Sequence, residues 1–310
     1  MQSGLRLGVI GLGRRWHRYR SAMAAMGKSV HIRAVFDPVA NRAAEEAGRS
    51  GCLAVGGVIE LVERDDIDAV VVTSGGWMGL WPLMQAALAG KPAYCAVSPV
   101  VDEGRIDALR AAVPGAHIHL AAWPRLRLLV RAFEDRVVEA IGPPDLIQAT
   151  WAGDLGADPL RSPAALALLD ECGRLMGLWP QAITASTVHD RPDMVGLTVE
   201  FGDGNVANLL LYSSATPHCR LTLHAGPGTA SLSLPGRLSW RNAEGRFDYR
   251  LPRGMAELAS LEGFTAAVGE ESFADLDSLF CGLDWLRAAR VSRQEGRRVM
   301  LPHPPPTRVD

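Results

Sequence analysis

The sequence predicts an α/β protein: a doubly wound parallel sheet in the N-terminal part, followed by an α+β domain with a largely antiparallel, open sheet. Short apolar runs alternate with helical segments through the first 121 residues. The run at residues 69–73 is continuous and rich in β-branched side chains, as expected for a strand buried on both faces. Beyond residue 122, strand-like runs follow one another, and residues 202–205 form a strong hairpin signal.

The N-terminal part alternates regularly between strands and helices. We predict strands at residues 5–10, 31–36, 52–55, 69–73, 93–97 and 118–121. We predict helices at residues 14–26, 39–48, 57–64, 80–89 and 104–113. This alternation implies parallel strands joined by right-handed crossovers.

The C-terminal part contains long helices and successive strands. We predict helices at residues 126–140, 163–178 and 273–290. We predict strands at residues 146–152, 182–189, 195–201, 206–213, 220–225, 229–234 and 238–242. The domains are therefore expected at residues 1–122 and 123–302, with a Pro-rich tail at 303–310.

Length and charge restrict the class of partner. A chain of 310 residues favours two domains, and its net charge of −2 does not favour nucleic acid or an anionic membrane surface. The longest apolar runs are too short to span a bilayer. The five cysteines include no CxxC pair or Cys/His cluster, which indicates a reduced, cytoplasmic protein without a structural metal. The expected partner is a small molecule.

A glycine turn, Gly11-Leu12-Gly13-Arg14, follows the first predicted strand. Gly11 permits a tight turn, and Gly13 lets the backbone approach a pyrophosphate at the helix N-terminus, where free N–H groups favour anions. Asp37 ends the second strand, where an acid accepts hydrogen bonds from a ribose and repels a 2′-phosphate. These residues predict a Rossmann-type domain that binds NAD in preference to NADP.

Trp16 occupies the position of the usual third glycine. A bulky side chain there should push the helix from the strand or point elsewhere. Two interpretations therefore stay open: a domain that binds NAD, or a retained fold with a closed or altered cofactor cleft.

The order of elements resembles the glucose–fructose oxidoreductase / inositol dehydrogenase (Gfo/Idh/MocA) family along almost the whole chain. The matching stretches are residues 7–13 with Asp37, then residues 68–73, 89–91, 94–99, 197–204 and 283–302. The resemblance implies an oxidoreductase that acts on a sugar, polyol or related hydroxyl compound with NAD(P). It also implies a homo-oligomer built on the C-terminal sheet.

Two catalytic positions depart from this family. The resemblance implies a lysine before a proline after the fifth strand, but Ser98 precedes Pro99 here. It also implies a helix motif in which Asp170 is kept, whereas Arg174 replaces the acid/base histidine. Serine lacks an ammonium group, and arginine stays protonated near neutral pH, so it is not a general base there. Arg174 either holds an anionic group or forms an ion pair with Asp170.

The segment after the fourth strand is also altered. Thr73 remains and Ser74 follows it, at positions where the resemblance implies contact with the cofactor. The lysines, Lys28 and Lys91, are predicted away from the carboxyl edge of the sheet. The sequence therefore leaves two functions open. One is an oxidoreductase with a diverged active site. The other is an inactive family member that binds a nucleotide or sugar-like ligand, or serves as a partner or scaffold subunit.

Overall fold

The chain is described by a computed structural model that covers residues 4–74, 76–96, 111, 116–121, 123–188, 190–252, 254–270 and 275–301, without the side chains of 275–279. It forms two compact units. The first comprises Met1–Pro124 and Arg253–Asp277, and the second comprises Arg125–Pro252 and Ser278–Asp310.

The first unit contains a six-stranded parallel sheet in the order β3-β2-β1-β4-β5-β6. Its strands are β1 (Leu5–Ile10), β2 (Val30–Phe36), β3 (Leu53–Ala54), β4 (Ala69–Val72), β5 (Ala93–Cys95) and β6 (Ile118–Leu120). The strand order reverses between β1 and β4, which are neighbours at the centre of the sheet. This confirms the predicted doubly wound sheet of Rossmann type.

Helices connect the strands of the first unit. They are α1 (Trp16–Ala25), α2 (Ala40–Ser50), α3 (Val58–Val62) and α4 (Trp81–Leu88). Every residue of β4 is buried, as its β-branched run predicts. The helix predicted at residues 104–113 lies outside the described residues, apart from residue 111.

The second unit contains helices α5 (Pro124–Arg136), α6 (Val138–Ile141) and α7 (Pro163–Met176). The single helix predicted at residues 126–140 is wrong, because Val137 leaves helical geometry at φ −120° while its side chain is fully buried. At the start of α7, the Ser162 hydroxyl accepts a hydrogen bond from the Ala165 N–H at 3.3 Å. Gly177, at φ +61°, ends the helix.

The first strand of the second unit lies between α6 and α7 in the chain, and its other strands follow α7. The strands are β7 (Leu146–Gly153), β8 (Pro180–Val188), β9 (Arg191–Phe201), β10 (Val206–Ser213), β11 (His218–Ala225), β12 (Gly228–Ser233), β13 (Arg237–Asn242) and β14 (Gly245–Arg250). The predicted hairpin is present, since β9 and β10 pair antiparallel through the turn Gly202–Gly204.

After β14 the chain returns to the first unit. Helix α8 (Met255–Glu270) packs against α1, and its Leu261 and Phe264 belong to the apolar core of that unit. The first unit therefore includes a segment that the sequence analysis assigned to the second domain. Helix α9 (Asp275–Glu295) and strand β15 (Val299–Met300) follow.

The second unit contains a nine-stranded sheet in the order β14-β13-β12-β11-β7-β10-β9-β8-β15. Only β7 and β10 pair in parallel among these described strands, so the sheet is largely antiparallel, as predicted. Side chains alternate between buried positions such as Leu209 and exposed ones such as Asn208 and Leu210. Helix α7 lies near β7 and β10. Within the described ranges, no helix has the length and apolar character needed to cross a membrane.

Candidate functional site

The loop between β1 and α1 is pressed against the end of β4. Gly11 has φ +84°, and a Cβ atom there would lie 2.0 Å from the Ser74 carbonyl oxygen. A Cβ at Gly13 would lie 3.2 Å from Ser74 Oγ. The Thr73 hydroxyl donates a hydrogen bond to the Gly11 carbonyl. Both the backbone conformation and the contact with Ser74 therefore require glycine at position 11.

Asp37 ties this loop to the end of β2. Its Oδ2 accepts a hydrogen bond from the Leu12 N–H at 2.6 Å, and its Oδ1 accepts one from the Val39 N–H at 2.8 Å. The residue is only 6% exposed. Each carboxylate oxygen can accept a second hydrogen bond, so Asp37 can close the loop and still receive a donor from a ligand.

The N-terminus of α1 carries unused donors and excess positive charge. Among the described residues, the backbone N–H groups of Gly13, Arg14 and Arg15 have no acceptor. Arg15 is the N-cap without a side-chain hydrogen bond to the helix, and the first turn has no acidic residue. Two exposed arginines beside the positive end of the helix dipole are unfavourable by themselves, and a bound anion would stabilise them.

Trp16 does not point into solvent from this turn. It is 5% exposed and belongs to the apolar core of the first unit, together with Tyr19 and Tyr94. Its backbone N–H donates to the Gly13 carbonyl at 2.9 Å. The bulky residue at the third glycine position is thus accommodated in the core beside the glycine turn.

A cluster of charged side chains joins α5 and α7 in the second unit. Arg127 Nη2 lies 2.6 Å from Asp170 Oδ2, and Arg127 Nε lies 2.5 Å from Glu171 Oε1. Arg174 Nε lies 4.0 Å from Glu171 Oε2. The ion pair considered between Asp170 and Arg174 is wrong, because Arg127 binds the Asp170 carboxylate and Arg174 approaches Glu171 instead.

Glu171 is, with Arg127, one of the two residues of this cluster that sequence reasoning missed. Burial raises its pKa to about 7, because the cost of removing the carboxylate from water outweighs the attraction of Arg127. Asp170 raises this pKa further, and Arg174 lowers it. An acid whose helical neighbours Leu168 and Leu175 are apolar is unusual, and that pattern is the signal that could have revealed Glu171.

Other candidates fall outside this arrangement. Ser98 lies outside the described residues. Lys91 Nζ donates to the carbonyls of Arg64 and Ile67 at 2.8 and 2.6 Å, so this lysine holds the loop before β4. The His119 ring stacks on Tyr94 at 5.5 Å between ring centroids. In the part of the chain that the structure describes, no three His, Cys, Asp or Glu residues form a metal-binding group.

Comparison with known proteins gives matches among solved structures. No family model matches the sequence, and no curated protein matches it. UDP-N-acetylglucosamine 3-dehydrogenase from Acidithiobacillus ferrooxidans is 23% identical, with a TM-score of 0.77 over 94% of this chain and 98% of that one. Levoglucosan dehydrogenase in complex with NADH and L-sorbose is 18% identical, with a TM-score of 0.80 over 97% and 100%. The chain has the fold of these dehydrogenases.

A third structure has the same fold with a bound cofactor. GenD2 from gentamicin A biosynthesis, in complex with NAD, is 18% identical, with a TM-score of 0.75 over 97% of each chain. The resemblance to Gfo/Idh/MocA proteins is therefore supported at the level of the fold.

Proposed function

We propose that this chain is an NAD-dependent oxidoreductase of the Gfo/Idh/MocA type, acting on a sugar, polyol or related hydroxyl compound. The observation that carries the proposal is the group of three unused N–H donors at Gly13, Arg14 and Arg15, beside a glycine turn held on the end of β4. This is the arrangement that receives a pyrophosphate in Rossmann-type domains.

The residues around the turn fit a dinucleotide. Gly11 and Leu12 would shape the pyrophosphate site, since their N–H groups already donate to Phe36 O and Asp37 Oδ2. Gly13 and Arg14 would hold the pyrophosphate through their unused backbone N–H groups and the Arg14 guanidinium. Asp37 would accept the ribose hydroxyls through its remaining lone pairs, and its charge disfavours the 2′-phosphate of NADP.

Two further residues would border the dinucleotide. Thr73 and Ser74, at the carboxyl end of β4, would lie beside the cofactor. Bound NAD supplies the hydride acceptor, and NADH the hydride donor. The protein must then bind the hydroxyl compound, orient it and exchange its proton.

Proton exchange cannot follow the lysine-dependent route of the family, because Ser98 replaces the lysine. Asp170 is held by Arg127 at 2.6 Å, which fixes its carboxylate for orienting a hydroxyl group. The Arg174 guanidinium suits the binding of an anionic group, because its planar N–H donors match a carboxylate. The proposed catalytic positions are therefore Ser98, Asp170 and Arg174, with Arg174 binding the substrate rather than taking its proton.

Cofactor binding is tested by thermal unfolding with NAD, NADH and NADPH. A ligand that binds only the folded protein raises Tm, by an amount that grows with its concentration over Kd. We expect a larger shift with NAD or NADH than with NADPH. The absence of a shift with all three would overturn the proposal.

A second function is favoured by the replacement of both catalytic residues, at Ser98 and Arg174. In this alternative the chain is an inactive family member that binds a nucleotide or sugar-like ligand, or acts as a partner or scaffold subunit. Cofactor absorbance followed over a panel of polyols and sugars separates the two functions. Turnover supports the oxidoreductase, whereas NAD binding without turnover of any panel member supports the alternative.

We also propose a cellular compartment and an oligomeric state for this chain. The five cysteines are widely spaced and include no CxxC pair, which supports a reducing, cytoplasmic compartment. We propose a homo-oligomer formed through the exposed face of the C-terminal sheet, with neither nucleic acid nor membrane as a partner.

A further inference from the structure

Glu171 has one carboxylate oxygen to which no described residue donates a hydrogen bond. Its side chain is 4% exposed, and its Oε1 accepts a hydrogen bond from Arg127 Nε at 2.5 Å. Its Oε2 is buried and has no hydrogen-bond partner in the part of the chain that the structure describes. A buried polar oxygen without a donor is costly, and folded proteins rarely leave one without a functional reason.

Arg174 is the cation beside that oxygen. Its Nε lies 4.0 Å from Glu171 Oε2, beyond hydrogen-bonding distance. Its side chain is 40% exposed. Within the described ranges, its guanidinium donates no hydrogen bond, so the side chain can change rotamer without breaking one.

Arg127 differs from Arg174 in this respect. Arg127 bridges Asp170 and Glu171 with bonds of 2.6 and 2.5 Å, and its side chain is 30% exposed. Arg127 therefore fixes the two acids, while Arg174 is able to move. The cluster presents one fixed acceptor, Glu171 Oε2, and one adaptable guanidinium.

We infer that Glu171 and Arg174 form a binding site for a hydroxy acid, whose hydroxyl group donates to Glu171 Oε2 and whose carboxylate is held by Arg174. Oε2 is closed to solvent in the present arrangement. The ligand carboxylate draws the Arg174 guanidinium outward, and the hydroxyl group takes the place beside Oε2. A neutral polyol can donate a hydrogen bond to Glu171 but offers no carboxylate to Arg174. A simple carboxylate can bind Arg174 but has no hydroxyl group to donate to Glu171.

As an assignment of substrate class, this inference rests on the proposed oxidoreductase function, whereas the binding site itself does not. It restricts the hydroxyl compounds considered above to those that carry a carboxylate close to a hydroxyl group. A bidentate contact between guanidinium and carboxylate would give such a ligand a fixed orientation.

The test is isothermal titration of the full chain with D-gluconate, and with D-glucitol and acetate as matched probes. D-Glucitol has a similar carbon chain without the carboxylate, and acetate has the carboxylate without the hydroxyl groups. We expect gluconate to bind at least tenfold more tightly than either probe. Equal affinities for the three compounds would overturn the inference.

Variants test the two side chains separately. Arg174→Gln should remove the preference for gluconate over glucitol, and Glu171→Gln should weaken gluconate binding about tenfold. Arg161→Gln is the matched control, since Arg161 is also exposed and lies three residues from its acid, Asp158, at 3.6 Å. Unchanged gluconate binding in Arg174→Gln would contradict the site. This variant carries the test if Glu171→Gln does not fold.

A parallel titration with NAD separates the two proposals. Selective gluconate binding without NAD binding leaves this site standing and overturns the proposed oxidoreductase. NAD binding without a preference for gluconate overturns this site alone.

Discussion

Burial makes the negative charge of Glu171 costly in the folded protein. Its pKa is raised to about 7 in the folded chain, although Arg127 stands beside it. In the unfolded chain the pKa of a glutamate is about 4.3. Because the folded pKa is the higher one, this residue's contribution to stability is fully present below the unfolded pKa and is lost as pH rises through about 7.

We therefore expect the free energy of unfolding to fall between pH 5 and pH 8 relative to Glu171→Gln, by about 1 to 3 kcal/mol. Glutamine has the same shape and does not titrate. Urea unfolding of both proteins across this pH range gives the measurement.

Glu200 provides a control with the opposite sign. The Arg298 guanidinium lowers its pKa, so its contribution is lost only as pH falls through that lowered value. Glu200→Gln should therefore differ from the wild type by a constant amount between pH 5 and pH 8. A similarly constant difference for Glu171→Gln would show that Glu171 remains ionised throughout.

Gly11 is constrained by its backbone and by its neighbour. At φ +84°, with Ser74 O 2.0 Å from the position of a Cβ atom, alanine requires both strain and movement of the β4 end. We expect Gly11→Ala to lower the free energy of unfolding by more than about 2 kcal/mol. Gly48→Ala is the control, because Gly48 is an exposed helical residue with open space around it. It should gain about 0.5–1 kcal/mol. Similar effects of both substitutions would contradict the close contact with Ser74.

Sequence reasoning predicted the residues of the turn better than their contacts. Gly11 and Asp37 are identified by residue type and spacing, since both depend on local strand–helix geometry. The hydrogen bonds from Leu12 and Val39 to Asp37 depend on how two loops meet, which spacing does not show. Glu171 was missed because the family motif directs attention to Asp170 and Arg174, on either side of it.

Helix α1 begins without a side-chain cap and carries arginines instead of acidic residues at its start. Removing one of these charges should therefore weaken the binding of an anion more than it lowers the stability of the fold. We expect Arg14→Gln to raise the Kd for NAD about three- to tenfold. Calorimetric titration with NAD measures the change.

Arg49→Gln is the control for this prediction. Arg49 is 63% exposed at the end of α2 and lies 3.9 Å from Glu45. Its removal should leave the Kd for NAD unchanged. If both variants weaken NAD binding equally, net charge rather than the start of α1 determines the affinity.

Helices and strands with strong local patterns were predicted, and those with weak patterns were not. The strand β4 and the helix α7 have buried apolar runs with clear ends at Thr73 and Gly177. Helix α8 contains Gly263 and Gly269, which normally interrupt helices, and packing against α1 stabilises it instead. Strand β14 is largely exposed at the edge of its sheet, so it lacks alternation.

At the scale of the molecule, the two units expose different surfaces. The first unit covers its central strand β4 completely. The second unit has a sheet with one buried set of side chains and one exposed set. The exposed set includes Leu210 on β10, which lies next to the central strand β7. The sequence predicts this alternation, because period-two patterns are local. It does not predict the return of α8 to the first unit, because that contact is separated from α1 by more than 200 residues.

The exposed sheet face gives the last prediction, which concerns the oligomer. Leu210 is 36% exposed, and an apolar side chain at the centre of an open sheet is suited to burial against a second copy. If the chain forms a homo-oligomer through this face, Leu210→Lys places a charge at each symmetric contact and should lower the mass in solution to that of a monomer. Leu88→Lys is the control, because Leu88 is 61% exposed on α4 of the first unit, away from the sheet. Light scattering after gel filtration measures both masses. An unchanged mass for Leu210→Lys, or a wild type that is already monomeric, would show that this face does not bind a second copy.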